Sequence, residues 1–280
     1  YPLPIIATVI VAGILAYLTY VVAGVQIEGG YVSEEQYGAS AGLLNGLIFV
    51  GIAAAWSFVI IVLIKKFGIN VLKGIFGLSF GFLGFFMTGF FAEIILYLIV
   101  INFEITDTVI LMYNITYFAM YIGIGIFTVL MIYKYFKSES IYTKNFIVIY
   151  IGLLIGAIMG VIMPLWTSLA ILVFISFWDI FAVKSKYGPI KNMLDLAIES
   201  ENGRSMKLSQ EEVKEKIEQG ELEYDTSHVE IGIGDLAFYS MLTSIALLQT
   251  GFLVVMILTA VAIIVGTGIT ISGLKRNKIL

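Results

Sequence analysis

The sequence predicts an all-α polytopic membrane protein, a helical bundle of at least eight transmembrane helices. Its composition, its eight apolar segments of membrane-spanning length, and the gathering of its basic residues on one side of them all point that way. Of the 280 residues, 60% are hydrophobic and 13% charged, with a mean hydropathy of +1.00. An ordinary globular chain is roughly 45–50% apolar and about a quarter charged. A chain so poor in polar surface cannot cover a water-soluble particle, so its exterior faces lipid.

A helix needs about 20 apolar residues to cross the hydrocarbon core. Segments near that length occupy 5–27, 38–64, 75–101, 108–133, 146–163, 165–183, 231–248 and 251–272. The first lacks a basic leader, which favours a true span over a signal peptide. Tyr1 stands where a Met would open a translated chain, which suggests a trimmed fragment. Pro164 divides the fifth span from the sixth, because proline removes a donor and clashes with the preceding turn. All eight are expected to be helical, since open strands cannot satisfy their backbone groups in lipid.

Orientation follows from Lys and Arg, which favour the cytoplasmic side of short loops. If the first span begins inside, all 16 basic residues fall inside, from Lys65, Lys66 and Lys73 through Lys134, Lys137 and Lys144 to Lys275, Arg276 and Lys278. The outer loops carry only acids: Glu28, Glu34, Glu35, Glu104 and Asp107. The N-terminus and the one long connection, 184–230, are therefore expected in the cytoplasm. The chain divides into spans one to six (1–183), that loop, and spans seven and eight (231–280).

Within the loop, Ile190, Met193, Leu194, Ala197 and Ile198 recur at helical spacing, which suits a helix lying on the membrane surface. Ser209 with Glu212 reads as a capping box for a helix over 210–219, closed by Gly220. Residues 222–224 and 228–231 could be extended. No internal repeat is visible, which disfavours an inverted-repeat transporter.

The chain has no Cys and one His, His228, which excludes disulfides and thiolate chemistry and argues against a metal centre. No cofactor is expected. Nothing in the charge pattern suggests nucleic acid as a partner; the lipid bilayer is one, and oligomerisation is left open. An ionisable side chain inside a span costs roughly 2.5–3.5 kcal/mol on insertion scales, so each one calls for an explanation. There are three such residues: Glu93, Asp179 and Asp235. Glu93 is expected to face a neighbouring helix or to snorkel. The glycines at 74, 77, 81, 84 and 89 in the same span suggest a close helix contact.

Asp179 stands four residues before the end of the sixth span, and Asp235 four residues into the seventh, which runs the other way. At about 1.5 Å per residue both lie ~6 Å below the inner boundary, so they can meet if the two spans are adjacent. Two close carboxylates in a low dielectric share a proton. One can then activate a water as base while the other polarises a carbonyl as acid. The plainer reading makes each aspartate a helix-end cap or the partner of a loop cation such as Lys184 or Lys186. Gly232 and Gly234, just before Asp235, would let another backbone approach closely.

Gly232, Ile233, Gly234 and Asp235 form a Gly-x-Gly-Asp sequence that resembles the signature of the presenilin and signal peptide peptidase family. Phe238, Tyr239 and Ser240 continue the likeness to presenilin. Trp178 and Asp179 stand where that family has Tyr-Asp, with Ile175 before them and Ala182, Val183, Lys186, Gly188 and Pro189 after. The likeness covers at least 147–272. It implies nine spans and Asp179 and Asp235 as catalytic residues. It also implies substrates that are transmembrane helices or signal peptides, and a long loop that is self-cleaved and engages substrate as an added strand. The inside placement of that loop is similar to presenilin and opposite to signal peptide peptidase.

The sequence departs from the family at two points. Trp178 lacks the phenolic hydroxyl that Tyr would place beside the carboxylate. No Pro-Ala-Leu tripeptide opens a ninth span, and the expectation is that this span is truncated or unseen rather than truly missing. The expected function is intramembrane aspartyl proteolysis by the Asp179/Asp235 pair, against two alternatives: a proton-coupled transporter and a catalytically silent scaffold that binds helices.

Overall fold

The structure is a computed structural model that describes residues 2–27, 29–68, 70–138, 140–185, 188–189 and 232–276. Helix α1 (Pro2–Tyr17) runs into one π-helical turn, Leu18–Val22. It is followed by α2 (Glu34–Tyr37), α3 (Ala39–Phe67), α4 (Val71–Val100), α5 (Asp107–Lys137), α6 (Ile141–Ile162) and α7 (Leu165–Lys184). Helices α8 (Ile233–Thr250) and α9 (Leu253–Arg276) follow. The described residues hold no strand. The chain is an integral multi-pass membrane protein in which each apolar segment of the sequence has become a helix.

The helices overrun the apolar segments that announced them. Helix α3 continues through Lys65 and Lys66, and α5 through Lys134 and Lys137, because a cation in the last turn offsets the helix dipole at the interface. The first helix ends early, at Val22, where Gly24 takes a positive φ of 69°. Pro164 stands as the N-cap of α7, and Met163 before it is extended, as the residue preceding a proline prefers. The proposed helices and extended pieces between 190 and 231 fall outside the described residues, as do Glu28, His228 and Lys278.

Seven helices, all but α2 and α8, are long and apolar enough to cross a membrane on their own account. Helix α8 has 18 residues and is the least apolar of the long helices, yet eight of its residues are buried. It packs chiefly on α6 and α1, with α9 against its other side. Lipid tails are as apolar as leucine, so helices associate here through close packing rather than expulsion from water.

The α6–α8 contact shows how. Gly152, Gly156 and Gly160 form one stripe of α6, and Leu236, Ser240 and Ser244 of α8 lie on it. A Cβ placed on Gly156 would sit 2.8 Å from the Ala237 carbonyl oxygen and 3.1 Å from the Met241 nitrogen. The two backbones therefore touch. Ser240 and Ser244 are fully buried with hydroxyls that have no partner among the described residues, so small volume outranks hydrogen bonding at these positions.

The glycines of α4 work differently. Gly77, Gly81, Gly84 and Gly89 receive side chains of α5, namely Phe136, Ile132, Met131 and Tyr121. Gly74, expected in the same contact, faces open space. Glu93 is half-buried on this pair and accepts a hydrogen bond from the Tyr121 hydroxyl at 3.2 Å. It faces a neighbouring helix, as expected. Helices α3 and α7 form a third close pair, in which Gly42 and Gly46 admit Trp166 and Ala170.

Replacing Gly156 by leucine forces α6 and α8 apart and should destabilise the protein by about 1–3 kcal/mol. The same change at Gly51, which faces open space, should move stability by no more than ~0.5 kcal/mol. Unfolding in mixed micelles compares the two.

Candidate active site

The site residues come from α7 and α8, which approach one another without being packing partners. Helix α7 lies mainly on α3, and α8 mainly on α6 and α1; the contact between α7 and α8 is slight. The adjacency expected of consecutive spans is thus a narrow one. Asp179 and Asp235 nonetheless lie within range of each other's charge, and both side chains are exposed.

Asp179 stands near the end of α7. Trp178 beside it is half-buried and turns toward α3, its ring 6.2 Å from that of Phe58 in an edge-on contact and 5.5 Å from Phe181. The aromatic side chain next to the carboxylate is a packing anchor that fixes the rotation of α7. Just beyond, Ala182 is fully buried. The Gly188 N–H donates to the Ser185 carbonyl at 2.9 Å, and a Cβ at Gly188 would strike the Ala182 carbonyl. Glycine is what lets the chain fold back on the helix end, and Pro189 is buried behind it.

Asp235 occupies the first turn of α8. Gly232 is the N-cap, in an extended conformation, and Asp235 Oδ2 reaches back over it, 3.1 Å from where a Cβ would stand. Glycine at 232 makes room for the carboxylate. At Gly234 a Cβ would meet none of the described atoms within 4 Å. The close backbone approach expected at this glycine is absent from the described residues. Immediately below, Leu236 and Ala237 are buried against Gly152 and Gly156. Tyr239 accepts a hydrogen bond from Thr267 of α9 at 3.3 Å. The first turn of α8 therefore projects from a well-fastened helix.

Among the described residues, no group of three or more His, Cys, Asp and Glu could hold a metal ion. Two features that fasten the site had escaped the sequence reading. The Gly152, Gly156, Gly160 stripe is visible as a small-residue repeat, and a further polar cluster, taken up below, is signalled by Asn45 within an apolar span.

The fold and site define a multi-spanning helical membrane protein that sets two aspartates from different helices at one end of its bundle. The family model described as Presenilin matches residues 31–203, well over half of the chain. The chain belongs to the presenilin family, which includes intramembrane aspartyl proteases. The matched stretch contains Asp179 and stops before the Gly232–Asp235 sequence. No curated protein matches the chain.

The glycines differ in a way that stability can read. Alanine at Gly234 meets none of the described atoms and removes a flexible helical glycine, so it should stabilise α8 by up to about 1 kcal/mol. Alanine at Gly232 must displace the Asp235 carboxylate and should give no such gain. Thermal unfolding of both variants tests the contrast.

Proposed function

We propose that the protein is an intramembrane aspartyl protease that cuts transmembrane segments, such as single-span proteins or residual signal peptides, with Asp179 and Asp235 as its acid–base pair. The observation that carries this reading is the approach of these two carboxylates from separate helices to an open space at one end of the bundle. Membership of the presenilin family supports it.

The chemistry needs no nucleophile from the protein. One aspartate, ionised, takes a proton from a water; the other, protonated, donates to the carbonyl oxygen of the scissile bond as the water attacks. The tetrahedral species then collapses as a proton passes to the leaving nitrogen. Water enters from the side that carries Lys65, Lys66, Lys134 and Lys137, which the distribution of charge makes the cytoplasmic side. A substrate helix hides its carbonyls in internal hydrogen bonds. It must unwind, and an extended strand would lie at Gly234, where no described atom stands within 4 Å of a Cβ position. Trp178 acts here through Asp179, by fixing the rotation of α7.

Purified protein and a labelled transmembrane peptide test the assignment. Asp179→Asn and Asp235→Asn should each lower cleavage by ~10²–10⁴-fold, since neither carboxylate can be both acid and base. A variant that still cleaves at the wild-type rate removes its residue from the mechanism. Product formation without transport of any solute separates proteolysis from proton-coupled transport, and a helix-binding scaffold yields neither.

The pH profile should be bell-shaped. At low pH both carboxyls are protonated and the base is lost; at high pH both are ionised and the acid is lost. A rate that stays level across the acidic and neutral range contradicts a shared proton.

A further inference from the structure

At the opposite end of the bundle from the aspartates, α7 begins without a cap of its own. Its N-cap residue, Pro164, offers no side-chain acceptor, and the Ser168 hydroxyl is spent on the Pro164 carbonyl at 2.9 Å. The first-turn N–H groups of a helix need partners from elsewhere when the local sequence supplies none. Here one carboxylate supplies them. Glu34, in the short helix α2, accepts from the Trp166 N–H at 3.1 Å, and its other oxygen accepts from both the N–H and the hydroxyl of Thr167. An anion at a helix N-terminus is also favoured by the helix dipole.

The cap is held by a second residue. Asn45 of α3 is fully buried and has all four of its hydrogen-bonding positions filled. Its oxygen accepts from the N–H groups of Tyr31 and Val32 at 3.0 and 2.9 Å, and its amide donates to the Val32 carbonyl at 2.8 Å and to Thr167 Oγ1 at 3.0 Å. Gly30 leaves space for that amide, since a Cβ there would stand 2.8 Å from Asn45 Nδ2. A chain of donors thus runs from Asn45 through Thr167 to Glu34, tying the 31–34 segment, α3 and α7 to one another.

We propose that Glu34, acting with Asn45 and Thr167, is a positioning residue for Asp179: it latches α7 at one height, while Trp178 fixes its rotation, and so sets where Asp179 meets α8. This rests on the reading of Asp179 as catalytic. The reason lies in how α7 is held. It has little contact with α8, and against α3 it seats Trp166 and Ala170 on Gly42 and Gly46, at the same end of the helix where Glu34 and Asn45 hold it. Hydrogen bonds have discrete geometry and select one register. Asp179 lies twelve residues beyond Thr167, a rise of about 18 Å along a rigid helix. A shift or rotation at the latch is therefore delivered to the carboxylate.

The chain has no cysteine, so a paired Asp179→Cys, Asp235→Cys variant reports the approach of α7 and α8 by disulfide formation, without any need for proteolysis. Glu34→Ala in that background should slow cross-linking. In the chain with both aspartates intact, Glu34→Ala should lower kcat by ~10-fold or more while KM stays near the wild-type value. Glu34→Gln keeps an acceptor oxygen and should restore most of both signals. Should Glu34→Ala fail to fold, Thr167→Val breaks the same chain with little change of shape and should move cross-linking and kcat in the same direction.

Wild-type rates of cleavage and cross-linking in Glu34→Ala would overturn the proposal. So would a lower melting temperature with both rates unchanged, which is the mark of a merely structural contact. If the wild-type chain cleaves nothing, the protease reading fails, and the cross-linking arm still decides whether the latch positions α7.

Discussion

The arrangement depends on backbone meeting backbone between α6 and α8. In lipid there is no water to expel, so a helix as short and as polar as α8 is retained by what it touches. The Gly152, Gly156, Gly160 stripe brings α8 within reach of many weak contacts at once, and the small Ser240 and Ser244 side chains allow it. From that fastening the first turn of α8 projects with Asp235 upon it. Side chains on this stripe would move the carboxylate as surely as a change at Asp235 itself.

The bundle then reads as two assemblies that share a narrow seam. One is α6 and α8 with α1, α9 and the α4–α5 pair; the other is the α3–α7 pair. Each supplies one aspartate. A seam with few contacts suits a site that must admit a polypeptide and a water between its acid and its base, because little packing has to be broken to widen it. The cost is that the distance between the carboxylates is set from elsewhere, by the Trp178–Phe58 contact and the hydrogen bonds at the start of α7 on one side and by Leu236 and Ala237 on the other.

Much of this was legible in the sequence, and the remainder was hidden for physical reasons. Apolar runs mark the hydrocarbon thickness rather than the helix, so the eight segments were found while their ends, at Phe67, Lys137 and Ile141, were not. Small-residue repeats occur in both α4 and α6, but spacing alone does not say what the partner brings. Against α4 it brings Phe136, Ile132, Met131 and Tyr121; against α6 it brings a backbone. Asp179 and Asp235 stood out because a charge in lipid is costly and the flanking sequence resembles a known family. Glu34 did not stand out, since a loop acid is ordinary until the fold sets Thr167 against it from far along the chain.

The enclosed, polar character of α8 bears on how the molecule is made. A segment that carries Asp235, Ser240, Thr243 and Ser244 is a poor candidate for entry into the bilayer when met alone by the insertion machinery. Synthesis proceeds from the N-terminus, so α1 and α6 are already in place when α8 emerges. Their glycine and alanine surfaces offer it a protein lining in place of lipid. The order of elements along the chain thereby lets this polar helix arrive after α1 and α6, as a guest of its future neighbours.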